Sequence, residues 1–216
     1  MKKTRALLKS LLIVSVLAFT ISTATAQFEQ KFTLHGSFGF AMPTGAKEFI
    51  SGADTYPYLF SNFSSGISVS GGVQYNINRR FSIAANIGFL DHWGWEYGSQ
   101  SFDNVQFWNL QIGIAPKFYL LASKKVNPYL FTEVNLNYTS IYVMGLTAKK
   151  GYPGIGFYPG AGIDFMVSDN FGIYVQGGYS FISVGSDPYS FGESENYKAL
   201  KIEVGIKISF LKSKTI

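Results

Sequence analysis

His35 and His92 are the two imidazoles of this chain, so any nucleophilic or metal chemistry that needs one must be built around them. Acyl or ester chemistry requires a nucleophile, a base and an orienting acid within hydrogen-bond reach. Asp91 precedes His92, but hydroxyls are scattered along the whole chain and no spacing selects a third member. Two distant histidines with dispersed Asp lack the ligand spacing of a metal centre. Glu193 and Glu195 suggest calcium, yet two carboxylates on one loop are weak grounds for a site. The sequence has no Walker loop, dinucleotide fingerprint, Gly-x-Ser-x-Gly elbow or zinc spacing. Cysteine is absent, which excludes disulfides, thiol catalysis and a lipid anchor on an N-terminal Cys. No catalytic residue, metal or cofactor is therefore expected. The more distinctive set is ionic: Lys31, His35, Lys117, Lys201 and Lys207 share one parity of their segments with Glu133, Asp164 and Glu203.

The segments that position these residues alternate with period two. Runs from Phe32 to Phe40, Ile67 to Ile77, Phe81 to Phe89 and Trp108 to Leu120 carry no charge at every second residue. Leu130 to Tyr142, Ile155 to Phe165, Phe171 to Phe181 and Leu200 to Phe210 repeat the pattern. Such alternation marks strands with one apolar and one polar face. Two architectures satisfy it: a soluble lipocalin-like binding barrel with the apolar face inside, or a membrane barrel with that face in lipid. A water-exposed exterior carries dense Lys and Glu, whereas the polar face here is rich in Gly, Ser, Asn and Gln, which suit a narrow filled lumen. Each run is roughly ten to fourteen residues, enough for a tilted strand that needs about 9–11 to cross the hydrocarbon. The expectation is all-β: an eight-stranded antiparallel up-and-down transmembrane β-barrel.

Residues 1–26 read as a cleaved secretory signal. Lys2, Lys3 and Arg5 precede the apolar run Leu11 to Phe19, and Ala24 and Ala26 stand before Gln27. Residues 27–216 form the barrel domain on this reading. Of 18 basic residues, Lys2, Lys3, Arg5 and Lys9 lie in the leader, so 14 remain against 13 acidic ones. The mature chain is nearly neutral and offers no case for nucleic-acid binding.

Short turns are expected at Asn78–Arg80, Ala122–Pro128 and Ser168–Asn170, and long loops at 42–66, 91–104, 143–154 and 183–197. Trp93, Trp95 and Trp108 suit an aromatic girdle at the headgroup level. Tyr56 to Phe60 and Pro188 to Phe191 are aromatic loop stretches of the kind favoured at recognition surfaces. Pro116 and Pro159 fall inside strand runs, where each removes a ladder donor, and a bulge or local break is expected at both.

The segment Pro159-Gly160-Ala161-Gly162-Ile163-Asp164-Phe165 is followed by Val167-Ser168-Asp169-Asn170-Phe171 and Gly177-Gly178-Tyr179-Ser180-Phe181. Together they resemble the penultimate hairpin of the OmpX/OmpA-like outer-membrane β-barrel domain family, and the likeness extends loosely over about residues 28–210. The final run, ending at Phe210, resembles the C-terminal assembly signal of such barrels, although Leu211 to Ile216 follow it. The resemblance implies an integral protein of a Gram-negative outer membrane, with a structural or surface-interaction role and no enzymatic activity. Its implied contacts are outer-membrane lipid, lipopolysaccharide, the barrel-assembly machinery and a surface partner reached through the long loops, and it implies a monomer. A narrow pore and a rim enzyme acting on lipid are the alternatives. Unboiled and boiled outer-membrane fractions should show two electrophoretic mobilities for this chain, and a single heat-insensitive band in the soluble fraction would support the lipocalin-like barrel instead.

Overall fold

The computed structural model describes residues 31–44, 48–51, 54–57, 63–97, 100–121, 125–143, 150–168, 170–184 and 196–211. The leader, the Pro188 to Phe191 stretch, Glu193, Glu195 and the tail after Leu211 lie outside them, as do the side chains of Lys31, Tyr56 and Trp95.

Eight strands close a barrel: β1 (Lys31–Pro43), β4 (Gly66–Asn76), β5 (Phe81–Tyr97), β6 (Gln100–Tyr119), β7 (Val126–Val143), β8 (Lys150–Met166), β9 (Phe171–Val184) and β10 (Tyr197–Leu211). A separate hairpin joins β2 (Glu48–Ser51) to β3 (Asp54–Pro57). All barrel neighbours are antiparallel and sequential, except that β1 pairs with both β4 and β10. The closing seam runs from Lys31↔Leu211 to Pro43↔Ala199, which brings the two ends of the barrel together at its short-turn end.

Alternation along each strand sorts the residues as the pleat requires. Outward, Leu136 is 68% exposed and Ile155 62%, with Phe38, Ile112, Val134, Val175 and Ile206 among their companions. Inward, Lys117, Glu133, Asp164, Lys201, Glu203 and Lys207 are all buried. Apolar surface outside and ions inside reverse the arrangement of a water-soluble barrel, so the lipocalin-like alternative is set aside. Closure leaves no sheet edge, which is what a hydrocarbon medium demands of β-structure.

Several connections differ from the sequence reading. The region 91–104 is not a loop: β5 and β6 continue as a paired ribbon to Tyr97↔Gln100. Trp, Phe, Tyr and Val still favour strand there, while the apolar alternation ends because the ribbon leaves the lipid. The register shifts between Trp93 and Trp95, and Gly94 takes a φ of 84° that glycine adopts without steric strain. The 42–66 stretch contains the β2–β3 hairpin, and β8 begins at Lys150, inside the expected 143–154 loop. Ser140 lies opposite Trp108 on the outward face and is buried there.

Both prolines interrupt the ladder on one side only. Ile114↔Val134 and Lys117↔Phe131 keep one register across β6 and β7, with Ala115 and Pro116 unpaired between them. On the other side Pro116 still faces Ile83. Likewise β8 and β9 pair at Phe157↔Phe181 and resume at Gly160↔Gly178, while Pro159 keeps Thr132 as its β7 partner. These are local breaks without a bulge, as expected where the missing N–H points toward one neighbour.

With the native tryptophans replaced by Phe, a lone Trp at Val134 or Ile173 should be quenched strongly by phospholipid brominated along its acyl chains. Unquenched emission from both would mean that the apolar face does not meet lipid.

Candidate functional site in the barrel lumen

The lumen is the densest polar constellation among the described residues, and it divides into linked clusters. Toward the short-turn end, Lys207 Nζ forms an ion pair with Asp164 Oδ2. Tyr119 Oη donates to the same carboxylate oxygen at 3.0 Å and accepts from Gln74 Nε2 at 3.0 Å. Deeper in the barrel, Glu203 is held by Lys201 at 3.0 Å, Gln176 Nε2 at 2.8 Å and Ser68 Oγ at 3.1 Å. Gln176 Oε1 in turn accepts from Tyr129 Oη at 2.9 Å. On the facing wall Glu133 accepts from Asn86 Nδ2 at 2.5 Å and Asn135 Nδ2 at 2.9 Å. His35 Nε2 lies 3.0 Å from Asn86 Oδ1, a geometry that places its proton on that nitrogen.

The expected set is thus brought together, apart from Lys31, for which only the backbone pairing is described. The ammonium groups of Lys117, Lys201 and Lys207 cancel the carboxylates of Glu133, Asp164 and Glu203 in formal charge. Lys117 has no carboxylate within ion-pair distance among the described residues. Its Nζ sits over the Tyr129 ring at 5.1 Å and the Tyr174 ring at 5.7 Å. Lys207 lies near the same two rings at 5.3 and 5.2 Å. Cation–π attraction strengthens where water is excluded.

These tyrosines escaped the sequence reading, which took the inward face as polar but small. Tyr119, Tyr129, Tyr158, Tyr174 and Tyr197 are all buried inward. Three of them lie against glycines. Tyr129 packs over Gly162 and Tyr174 over Gly205, each directly across the ladder, and Tyr158 lies beside Gly178. A Cβ at Gly162 or Gly205 would come within 2.5 Å of its tyrosine ring. The glycines are therefore sockets for rings in a narrow, side-chain-filled lumen. A tyrosine and a glycine at matching inward positions of adjacent strands is the signal that could have revealed them.

His92 also departs from expectation. It lies on β5 rather than in a loop and points inward, fully buried. Its Nδ1 donates to the Ser64 carbonyl at 2.6 Å and its Nε2 accepts from Tyr197 Oη at 2.8 Å. Phe63, Phe107 and Tyr197 surround the ring at 5.5 to 6.2 Å. Asp91 points the other way, and both its carboxylate oxygens accept from Gln106 Nε2 at 3.0 Å. His35 and His92 thus have separate partners, and neither has a serine or threonine hydroxyl as a hydrogen-bond partner among the described contacts. On the outer wall Trp93 is half exposed, and Trp108 stacks near Phe89 at 6.2 Å and Tyr138 at 5.8 Å.

Removing one partner of a buried ion pair leaves an uncompensated charge, a loss of about 3–5 kcal/mol. Lys207→Met should therefore lower the unfolding free energy of the barrel in lipid vesicles, read from the urea midpoint and slope, by that order, with Asp164→Leu in the same chain restoring most of it. Equal midpoints for wild type and Lys207→Met would mean that the pair does not hold the lumen.

No family model matches the sequence, and neither does any curated protein. Solved structures do. Neisserial surface protein A is similar at 18% identity and a TM-score of 0.53, over 83% of this chain and 97% of that one. The outer membrane protein OprG from Pseudomonas aeruginosa is similar at 13% identity and 0.52, over 85% and 97%. A major outer membrane protein from Thermus thermophilus gives 11% identity and 0.53, over 85% and 100%. Identities this low carry the fold alone. With its apolar exterior and ionic interior, this chain is an eight-stranded closed β-barrel of the fold shared by these small outer-membrane barrels.

Proposed function

We propose that this protein serves the outer membrane as a structural and surface-interaction barrel rather than as a channel or an enzyme. One observation carries the reading. The enclosed cavity at mid-barrel, lined by His35, Lys117, Glu133, Gln176, Lys201 and Glu203, has a volume of about 10 Å³. That is room for about one water molecule. An ion would have to displace the Lys201–Glu203 pair and the Tyr129–Gln176 bridge to pass, and both are hydrogen-bonded on several sides.

The lumen charges act as a stiffening plug: Lys201–Glu203 and Lys207–Asp164 are paired, Glu133 is held by Asn86 and Asn135, and Lys117 lies over the Tyr129 and Tyr174 rings, within a wall that offers little solvent. Trp93 and Trp108 act as girdle residues at the outer headgroup level, with Trp95 continuing the same ribbon. Interaction then falls to the elements beyond the lipid: the extended β5–β6 ribbon, the β2–β3 hairpin and the aromatic stretches of the long connections. The separate engagement of His35 by Asn86 and of His92 by Ser64 and Tyr197 favours a non-catalytic role over lipid modification at the rim. The chain works as a monomer in lipid and lipopolysaccharide, placed there by the barrel-assembly machinery.

Planar-bilayer recordings of the refolded chain should show no conductance above the lipid background. Resolved single-channel steps from a preparation that keeps its heat-shifted mobility would replace this reading with the narrow pore.

A further inference from the structure

The ladder break at Pro116 opens the outer wall. Between β6 and β7 lies a groove of about 250 Å³, lined by Phe81, Pro116, Phe118, Leu130 and Thr132 from the lipid-facing side. Lys117 and Phe131, whose side chains belong to the lumen, also border it, so the wall is thinned here as well as dented. The unbroken register would set Pro116 opposite Thr132, and the missing N–H of proline explains why this part of the seam stays unpaired. Phe118 and Leu130 are each about half exposed, and their neighbours outside the barrel are acyl chains.

The ends of these strands supply a second, independent feature. The turn into β5 is Asn78-Arg79-Arg80, and the connection from β6 to β7 includes Ser123-Lys124-Lys125. These two turns bring Arg79, Arg80 and Lys125 to the short-turn end of β5, β6 and β7, and the Lys125 carbonyl accepts from the Met166 amide at 2.8 Å, beside the turn before β9. Arg80 directly precedes the groove residue Phe81, and its carbonyl accepts from the Tyr119 amide at 2.7 Å, which ties the turn to β6. Arg80 and Lys125 are exposed at this end. Short turns of such barrels face the periplasm.

We propose that the β5–β6–β7 wall is a binding site for one anionic phospholipid of the periplasmic leaflet, with an acyl chain in the Pro116 groove and its phosphate against Arg80. The assignment rests on the membrane reading of the barrel and adds a defined lipid to it. A hydrocarbon chain fits the groove because its lipid-facing lining is apolar apart from Thr132. The negative headgroup follows from the cations one strand-end away. Phe81 lies across from Phe118, two residues along β6 from Pro116, so head and tail subsites are within the span of a single lipid.

Native mass spectrometry of the chain released from nanodiscs of equal phosphatidylcholine and phosphatidylglycerol tests this. Wild type should retain phosphatidylglycerol preferentially, one molecule per chain. Leu130→Trp, which fills the groove, and Arg80→Gln, which removes a cation, should each lower that retention about tenfold, the change a 1.4 kcal/mol loss produces. Ile206→Trp on the β10 wall should leave it unchanged. Equal retention of the two lipids by wild type, indifference to both groove variants, or an equal loss in Ile206→Trp would overturn the site. Heat-shifted mobility, measured on every sample, separates failure of this site from failure of the barrel itself.

Discussion

The narrowness of an eight-stranded barrel governs the rest of this molecule. Strand number sets the diameter, and eight strands leave an interior just wide enough for side chains. Every inward group must then find its partner among other inward groups, because little solvent reaches it. The consequences are visible residue by residue: Glu203 gathers Lys201, Gln176 and Ser68; Glu133 gathers Asn86 and Asn135; and Asp164 takes Lys207 and Tyr119. Several large rings enter where a neighbouring strand has given up its side chain, as Gly162 does for Tyr129 and Gly205 for Tyr174.

The same narrowness separates what the two faces can tolerate. Outside, any apolar side chain that lipid can wet is acceptable, so Phe, Ile, Leu and Val interchange freely along the belt. Inside, size and hydrogen-bonding capacity are both fixed by what stands across the lumen. Proline illustrates the asymmetry from the backbone: Pro116 and Pro159 keep full pairing with one neighbour and forgo it with the other, without moving the register of the strands beyond.

Much of the architecture was legible in the sequence because the lipid face is a one-dimensional pattern. Period-two apolarity placed all eight barrel strands and the inward Lys117, Lys201, Lys207, Glu133, Asp164 and Glu203, whereas Val126 to Pro128, expected in a turn, already belong to β7. The tyrosines were less legible, since a tyrosine suits lipid interface and lumen alike, and only the strand across decides which. His92 was misplaced in a loop because alternation was used to end β5. Alternation reports the lipid boundary, whereas cross-strand pairing runs on to Tyr97 and Gln100. The β2–β3 hairpin lies beyond that boundary and leaves no apolar stripe to read. The groove at Pro116 could be anticipated as a break in the ladder but not as a cavity, which depends on side chains from three strands.

The seam that joins Lys31 to Leu211 makes the tenth strand the partner of the first. No subset of the strands can become edgeless before β10 is in place, so partly assembled forms expose an open ladder and an oily wall together. Closure of such a molecule consequently waits for its final strand. The sticky precursor has to be shielded until its two ends meet, and the quality of β10 controls whether closure happens at all.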